Sequence, residues 1–213
     1  MGSGCFITFE GGEGTGKSTQ ARRLAERLKA GGREVVLTRE PGGSPGAEAI
    51  RALLVEGAAD RWSAISETLL MYAARRDHIE RLIAPALARG AAVVSDRFFD
   101  STRAYQGAGG GAPPALIAAL EQAVVGDVRP DLTIILDLPV ALGLGRAAHR
   151  GGGEARFEAK GADFHERLRR AYLEIAAAEP DRCRVIAADG DETAVAARVL
   201  AAVEAQFGAA ALG

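Results

Sequence analysis

Eight consecutive residues, Gly11-Gly12-Glu13-Gly14-Thr15-Gly16-Lys17-Ser18, match the G-x-x-x-x-G-K-[ST] pattern of a phosphate-binding loop. Its glycines let backbone N–H groups turn inward around a polyphosphate. Lys17 adds a point charge at the β and γ phosphates, and the Ser18 hydroxyl can ligate Mg²⁺. A helix opening near Gly16 would aim its positive dipole end at the same anion. Gly11 to Thr19 therefore reads as a nucleotide cradle. Glu13 is out of character there, because a carboxylate among phosphate-binding amides would repel a triphosphate. It is expected to face a second substrate, where it could accept a hydrogen bond from a sugar hydroxyl.

Such a loop works only between a strand and a helix. Cys5–Phe9, Glu34–Thr38, Ala91–Ser95 and Leu132–Leu138 are short apolar runs that read as buried strands, with Arg184–Ala188 as a weaker fifth. Helical spacing separates them: Ala21, Leu24, Ala25 and Leu28 share a face that stops at Gly31-Gly32, and Val195, Val199, Leu200, Val203 and Phe207 repeat the pattern. Ser63 to Arg89 is the longest helical stretch, with Ser63 as N-cap, Trp62 anchoring its start, and Pro85 expected to kink or shorten it. Gly107 to Pro114 reads as a turn between helices, and Gly208 to Gly213 as a fraying end. The alternation predicts a three-layer α/β fold, a five-stranded parallel sheet flanked by helices, as one domain over residues 1–213. The glycine-rich stretch Arg150–Gly161 is expected to be a mobile lid of about residues 146–161.

Composition narrows the classes further. Apolar residues at 48% and charged residues at 25% fit a globular chain, and 26 Lys and Arg against 28 Asp and Glu argue against gripping a nucleic-acid backbone. No secretory pattern and no long apolar run is visible, so a cytoplasmic location without membrane contact is expected. Two cysteines, Cys5 and Cys183, read as buried small residues, and His78, His149 and His165 lack metal-ligand spacing. Neither Asn-Lys-x-Asp nor Asp-x-x-Gly occurs, against a signalling GTPase, and a large motor would need more chain. Small kinases remain.

A kinase needs an acceptor site, and open α/β sheets bind ligands at the carboxyl ends of their strands. Arg39 and Asp96-Arg97 stand at two such ends, where paired guanidinium groups could clamp a phosphate. Asp96 or Asp137 could help hold Mg²⁺, and Asp96, next to Arg97, is preferred. A dianionic phosphate acceptor is already a nucleophile, so no general base is required.

Glu10-Gly11 through Thr19, Arg39-Glu40-Pro41-Gly42-Gly43, Tyr72-Ala73-Ala74-Arg75, Asp96 through Thr102, Ala104-Tyr105-Gln106-Gly107 and Arg129-Pro130-Asp131-Leu132 together resemble bacterial thymidylate kinases, in family order. The resemblance implies transfer of the ATP γ-phosphoryl group to dTMP with Mg²⁺, giving dTDP and ADP on the way to dTTP. It implies that Arg39 and Arg97 hold the dTMP phosphate, Arg75 bonds the thymine, Glu13 lies near the 3′-hydroxyl, and Tyr105 crowds the 2′ position. Thr102 and Gln106 would lie by the base, Pro41 and Ser101 would complete the pocket, and Glu40–Pro41 would be cis. Met71 stands where the family stacks a phenylalanine on thymine. Arg146, Arg150 and Arg156 flank the lid; since Gly14 stands where a family subdivision carries a basic residue, the lid is expected to supply the catalytic arginine, with Arg150 first and Arg146 beside the ATP. A homodimer through Ser63–Arg89 is also implied. Kinases for dUMP, dCMP or AMP, or a nucleotide-binding regulator without turnover, are the alternatives.

Overall fold

The computed structural model describes residues 4–58, 60–150 and 160–209, with Arg150 described only as part of its helix. Five strands form one parallel sheet: β1 (Cys5–Glu10), β2 (Val35–Arg39), β3 (Ala92–Asp96), β4 (Leu132–Asp137) and β5 (Cys183–Ala187). Their order is β2-β3-β1-β4-β5, so β1 and its loop are central. The pairing sets Phe9 opposite Asp96 and Asp96 opposite Arg39, which brings three strand ends to one edge.

Side chains alternate across β1. Cys5, Ile7 and Phe9 pack against α1 (Lys17–Ala30) and against a C-terminal helix through Val195, Val199 and Val203. Phe6 points the other way, into a cluster with Tyr72, Ile83 and Phe98. The second face is covered by α3 (Ala64–His78), α4 (Ala84–Ala88), α5 (Phe99–Thr102), α6 (Pro114–Val124) and α8 (Ala162–Ala178), with α2 (Pro45–Val55) packed on α3 and α7 (Val140–Arg150) on α8, while α9 (Glu192–Phe207) lies beside α1. The three layers and parallel sheet expected from the strand runs are present.

Pro85 does not break the long helix. A π-helical turn over Ile79–Ile83 joins α3 to α4, with the Ala84 N–H on the Ile79 carbonyl. Pro85 follows that widened turn directly and lies in the first turn of α4. Ser63 caps α3 by accepting the Ser66 N–H at 3.1 Å, and the Trp62 indole donates to the Leu53 carbonyl. The expected turn at Gly107 begins later, because π-helical bonding runs over Arg103–Gly109. The lid expected at residues 146–161 divides: residues 151–159 lie outside the described residues, and Arg146 belongs to α7. Of the expected fraying end, residues 210–213 also lie outside them.

Candidate active site

The phosphate loop leaves the end of β1 and winds through three positive-φ glycines, Gly11, Gly14 and Gly16, before α1 opens at Lys17. Gly14 has a second reason to be glycine: a Cβ there would sit 1.9 Å from the Gly143 carbonyl oxygen on α7. Position 14 therefore has no room for a basic side chain. Lys17 is buried, and its ammonium donates to the Gly12 carbonyl at 2.7 Å, where the Thr15 hydroxyl also donates. Burial pulls the Lys17 pKa down, and the nearby Arg97 adds to the effect.

Ser18 donates to Asp96 Oδ2 at 2.5 Å, while Asp96 Oδ1 is buried and has no hydrogen-bond partner. A hydroxyl and a carboxylate oxygen left over beside it suit a hard, oxygen-seeking cation such as Mg²⁺. Asp137 is engaged elsewhere, in a two-pronged ion pair with Arg169 at 2.7 and 3.0 Å. The two aspartates differ in this respect: Asp96 keeps an oxygen without a partner, and both oxygens of Asp137 are in the ion pair.

Across β1 from that pair lies a pocket lined by eight expected acceptor residues: Pro41, Met71, Arg75, Arg97, Ser101, Thr102, Tyr105 and Gln106. Glu40–Pro41 is cis. Glu13 of the phosphate loop reaches two residues of this pocket. Its Oε1 accepts from Arg97 Nη2 at 2.9 Å and from the Tyr105 hydroxyl at 2.6 Å. Burial pushes the Glu13 carboxyl up, but Arg97, Lys17 and the Tyr105 hydroxyl outweigh it and hold the pKa at about 2. Arg75 is buried on α3, donating from Nε to Glu40 at 2.7 Å and from Nη2 to the Phe98 carbonyl and Thr102 hydroxyl. Its Nη1 is buried without a hydrogen-bond partner, a donor left for a ligand acceptor. Gln106 donates to Glu67 at 2.8 Å, which orients its amide.

Arg39 departs from the expectation. Its side chain is 53% exposed and donates to both oxygens of Glu48, at 3.0 and 3.1 Å, whereas that of Arg97 is 10% exposed. Strand alternation is the cause: Thr38 and Glu40 turn inward, so Arg39 between them turns outward. Arg51 on α2, which the sequence did not single out, donates instead to the carbonyl of pocket residue Pro41 at 2.6 Å. Arg146 donates to the Ala188 carbonyl at 3.1 Å, in the loop before α9, whose first residue, Glu192, accepts from Gln20 of α1. The Arg150 side chain and Arg156 lie outside the described residues.

Several residues that hold the site together were given no role from the sequence. Glu40 holds both Arg75 and His78, and His78 also meets the Thr38 hydroxyl. Tyr172 on α8 reaches Ser101 and Arg97 from far along the chain. Long-range partners of this kind leave no local spacing to read.

A phosphate loop, a carboxylate beside its serine, and a separate pocket with an inward-facing arginine define a P-loop phosphotransferase with a second, phosphorylated substrate. The thymidylate kinase family model matches residues 9–199. The thymidylate kinase of Caulobacter vibrioides is 68% identical over 208 residues, covering 98% of this chain and all of that protein. The thymidylate kinase of Dinoroseobacter shibae is 57% identical, covering 93% and 95%. The crystal structure of thymidylate kinase from Ehrlichia chaffeensis superposes with a TM-score of 0.76 at 37% identity, covering 94% of this chain and 99% of that one. The chain belongs to the thymidylate kinase family.

Proposed function

We propose that this chain transfers the γ-phosphoryl group of ATP to dTMP, releasing dTDP and ADP, a step toward dTTP. The observation that carries the residue assignment is the Glu13–Arg97 ion pair, which ties the nucleotide cradle to a pocket containing the partnerless Arg75 Nη1. Gly11 to Thr19 bind the ATP phosphates, with Lys17 as their cation. Arg97 binds the acceptor phosphate, and Arg75 Nη1 donates to a thymine carbonyl. Met71 covers the base, Thr102 and Gln106 stand at its edge, and Glu13 accepts from the sugar hydroxyl beside Tyr105. Arg51 is better disposed than Arg39 to assist Arg97.

Positioning carries the catalysis, since the acceptor oxygen is a dianion's and needs no base. Mg²⁺ at Ser18 and Asp96 supplies neutralisation of phosphate charge when bound. Arg146 borders the donor side, and Arg150 remains the assigned catalytic arginine by family resemblance. No helix among the described residues is long and apolar enough to cross a membrane. A cytoplasmic homodimer fits the family, and the exposed Ile65 and Leu69, one turn apart on α3, offer an apolar stripe to a second copy.

The test is incubation with ATP and a panel of dTMP, dUMP, dCMP and AMP, with and without chelator. ADP formed with dTMP, in a Mg²⁺-dependent manner, is the expected result. Equal turnover of AMP would overturn the thymine-specific assignment of the pocket.

A further inference from the structure

Arg97 is the one residue other than glycine with a left-handed backbone among the described residues, at φ 72°. Such a conformation is uncommon for a residue with a Cβ and persists where neighbours over-determine it. One side of the bend is held by the Arg97 N–H on the Phe9 carbonyl at 2.9 Å and the Ser95 hydroxyl on the Arg97 carbonyl at 2.8 Å. The other side is held by Glu10, the last residue of β1. Its Oε1 accepts the Phe98 N–H at 2.8 Å and the Ser101 N–H at 3.2 Å. Its Oε2 accepts the Ser101 hydroxyl at 2.6 Å and the Tyr172 hydroxyl at 3.2 Å. Those same hydroxyls accept from Arg97 Nη1, at 3.2 and 3.4 Å.

We propose that Glu10 is a positioning residue for acceptor binding, setting both the backbone bend of Arg97 and the direction of its guanidinium. This rests on the reading of Arg97 as the acceptor-phosphate ligand. A carboxylate suits the task because one oxygen grips the main chain while the other orients two hydroxyls. An alanine would leave the Phe98 N–H without its acceptor and both hydroxyls free to turn. The arrangement is held against a desolvation penalty: burial and then Asp100 push the Glu10 carboxyl up, to about 7, despite the Ser101 hydroxyl, Arg97 and the Phe98 N–H. A buried ionisable group kept under such a load is an expensive way to fill space.

Calorimetric titration of dTMP and of ATP into wild type, E10Q, E10A, R97A and the E10Q/R97A double variant tests this, with melting temperatures recorded. E10Q is expected to weaken dTMP about fivefold and E10A more than about twentyfold, with ATP affinity within about twofold. In the R97A background, E10Q is expected to add less than about twofold. The proposal is overturned if E10Q weakens dTMP equally with or without Arg97, if ATP affinity falls in step, or if E10Q binds dTMP as wild type does. Unchanged dTMP binding by R97A would instead overturn the reading of Arg97, and the role of Glu10 with it. Should E10A fail to fold, the near-isosteric E10Q cycle decides alone.

Discussion

The Arg97 guanidinium donates to the Glu13 carboxylate at 2.9 Å, and both side chains are about nine-tenths buried. The phosphate loop and the acceptor pocket thus share one ion pair. A buried pair of this kind is costly to break from one side, because the remaining charge has no water to turn to.

Replacing Glu13 by Gln removes the carboxylate charge that faces Arg97 and leaves a single neutral amide oxygen to accept from both Arg97 and the Tyr105 hydroxyl. The kcat/KM for dTMP is expected to fall about 100-fold, or about 2.7 kcal/mol, with the ATP dissociation constant within about threefold. Steady-state kinetics with each substrate varied would check it. A matching loss in ATP affinity would assign Glu13 to the nucleotide instead.

Glu10 makes stability pH-dependent in a definite sense. Its folded pKa of about 7 exceeds the ordinary 4.5, so between these values the native state holds a proton that the unfolded chain releases. The contribution is therefore most favourable below pH 4.5, declines as pH rises toward 7, and levels off above, a loss of roughly 3 kcal/mol. Urea unfolding between pH 5 and 8 should show this decline in wild type and lack it in E10Q. Parallel profiles for the two proteins would contradict the assignment. Glu13, at about 2, stays ionised throughout that range and adds no slope.

Met71 lines the pocket where an aromatic ring could lie against a base. Stacking on an aromatic side chain contributes about 1–3 kcal/mol per base, against about 0.3–1.5 kcal/mol for a thioether on a ring. Met71→Phe is expected to tighten dTMP binding about fivefold, measured by calorimetry. An unchanged or weaker dissociation constant would mean that this side chain does not touch the base.

Arg39 is paired to Glu48 outside the pocket, and exposed ion pairs are worth little. Arg39→Ala should therefore change KM for dTMP by less than about threefold, while Arg97→Ala raises it at least about fiftyfold. Comparable losses in the two variants would show that Arg39 leaves Glu48 to meet the substrate.

Local chemistry made much of this molecule legible. The glycine-lysine-serine loop, the apolar runs of the strands and the 3.6-residue spacing of Leu24 and Leu28 or Val195 and Val199 each depend on near neighbours, so type and spacing suffice to read them. Glu13 could be read too, because repulsion from phosphate left it one direction to face. The direction in which Arg39 faces was not legible, because a motif names residues without saying which strand face each occupies. Glu40, between that arginine and Pro41, proved to be the inward-facing residue.

The sequence by itself determined the parallel α/β sheet and the phosphate loop, and it singled out Arg75, Tyr105 and Gln106, which line one pocket. Tertiary structure alone decided which way Arg39 and Arg97 face, that Asp137 is tied to Arg169 while Asp96 keeps one oxygen unpartnered, and why position 14 admits no side chain. It also brought Glu10, Ser101 and Tyr172, separated by up to 162 positions, under one guanidinium. Hydrogen bonds and ion pairs of that reach depend on how the sheet is ordered and its helices docked, and no short-range pattern encodes them.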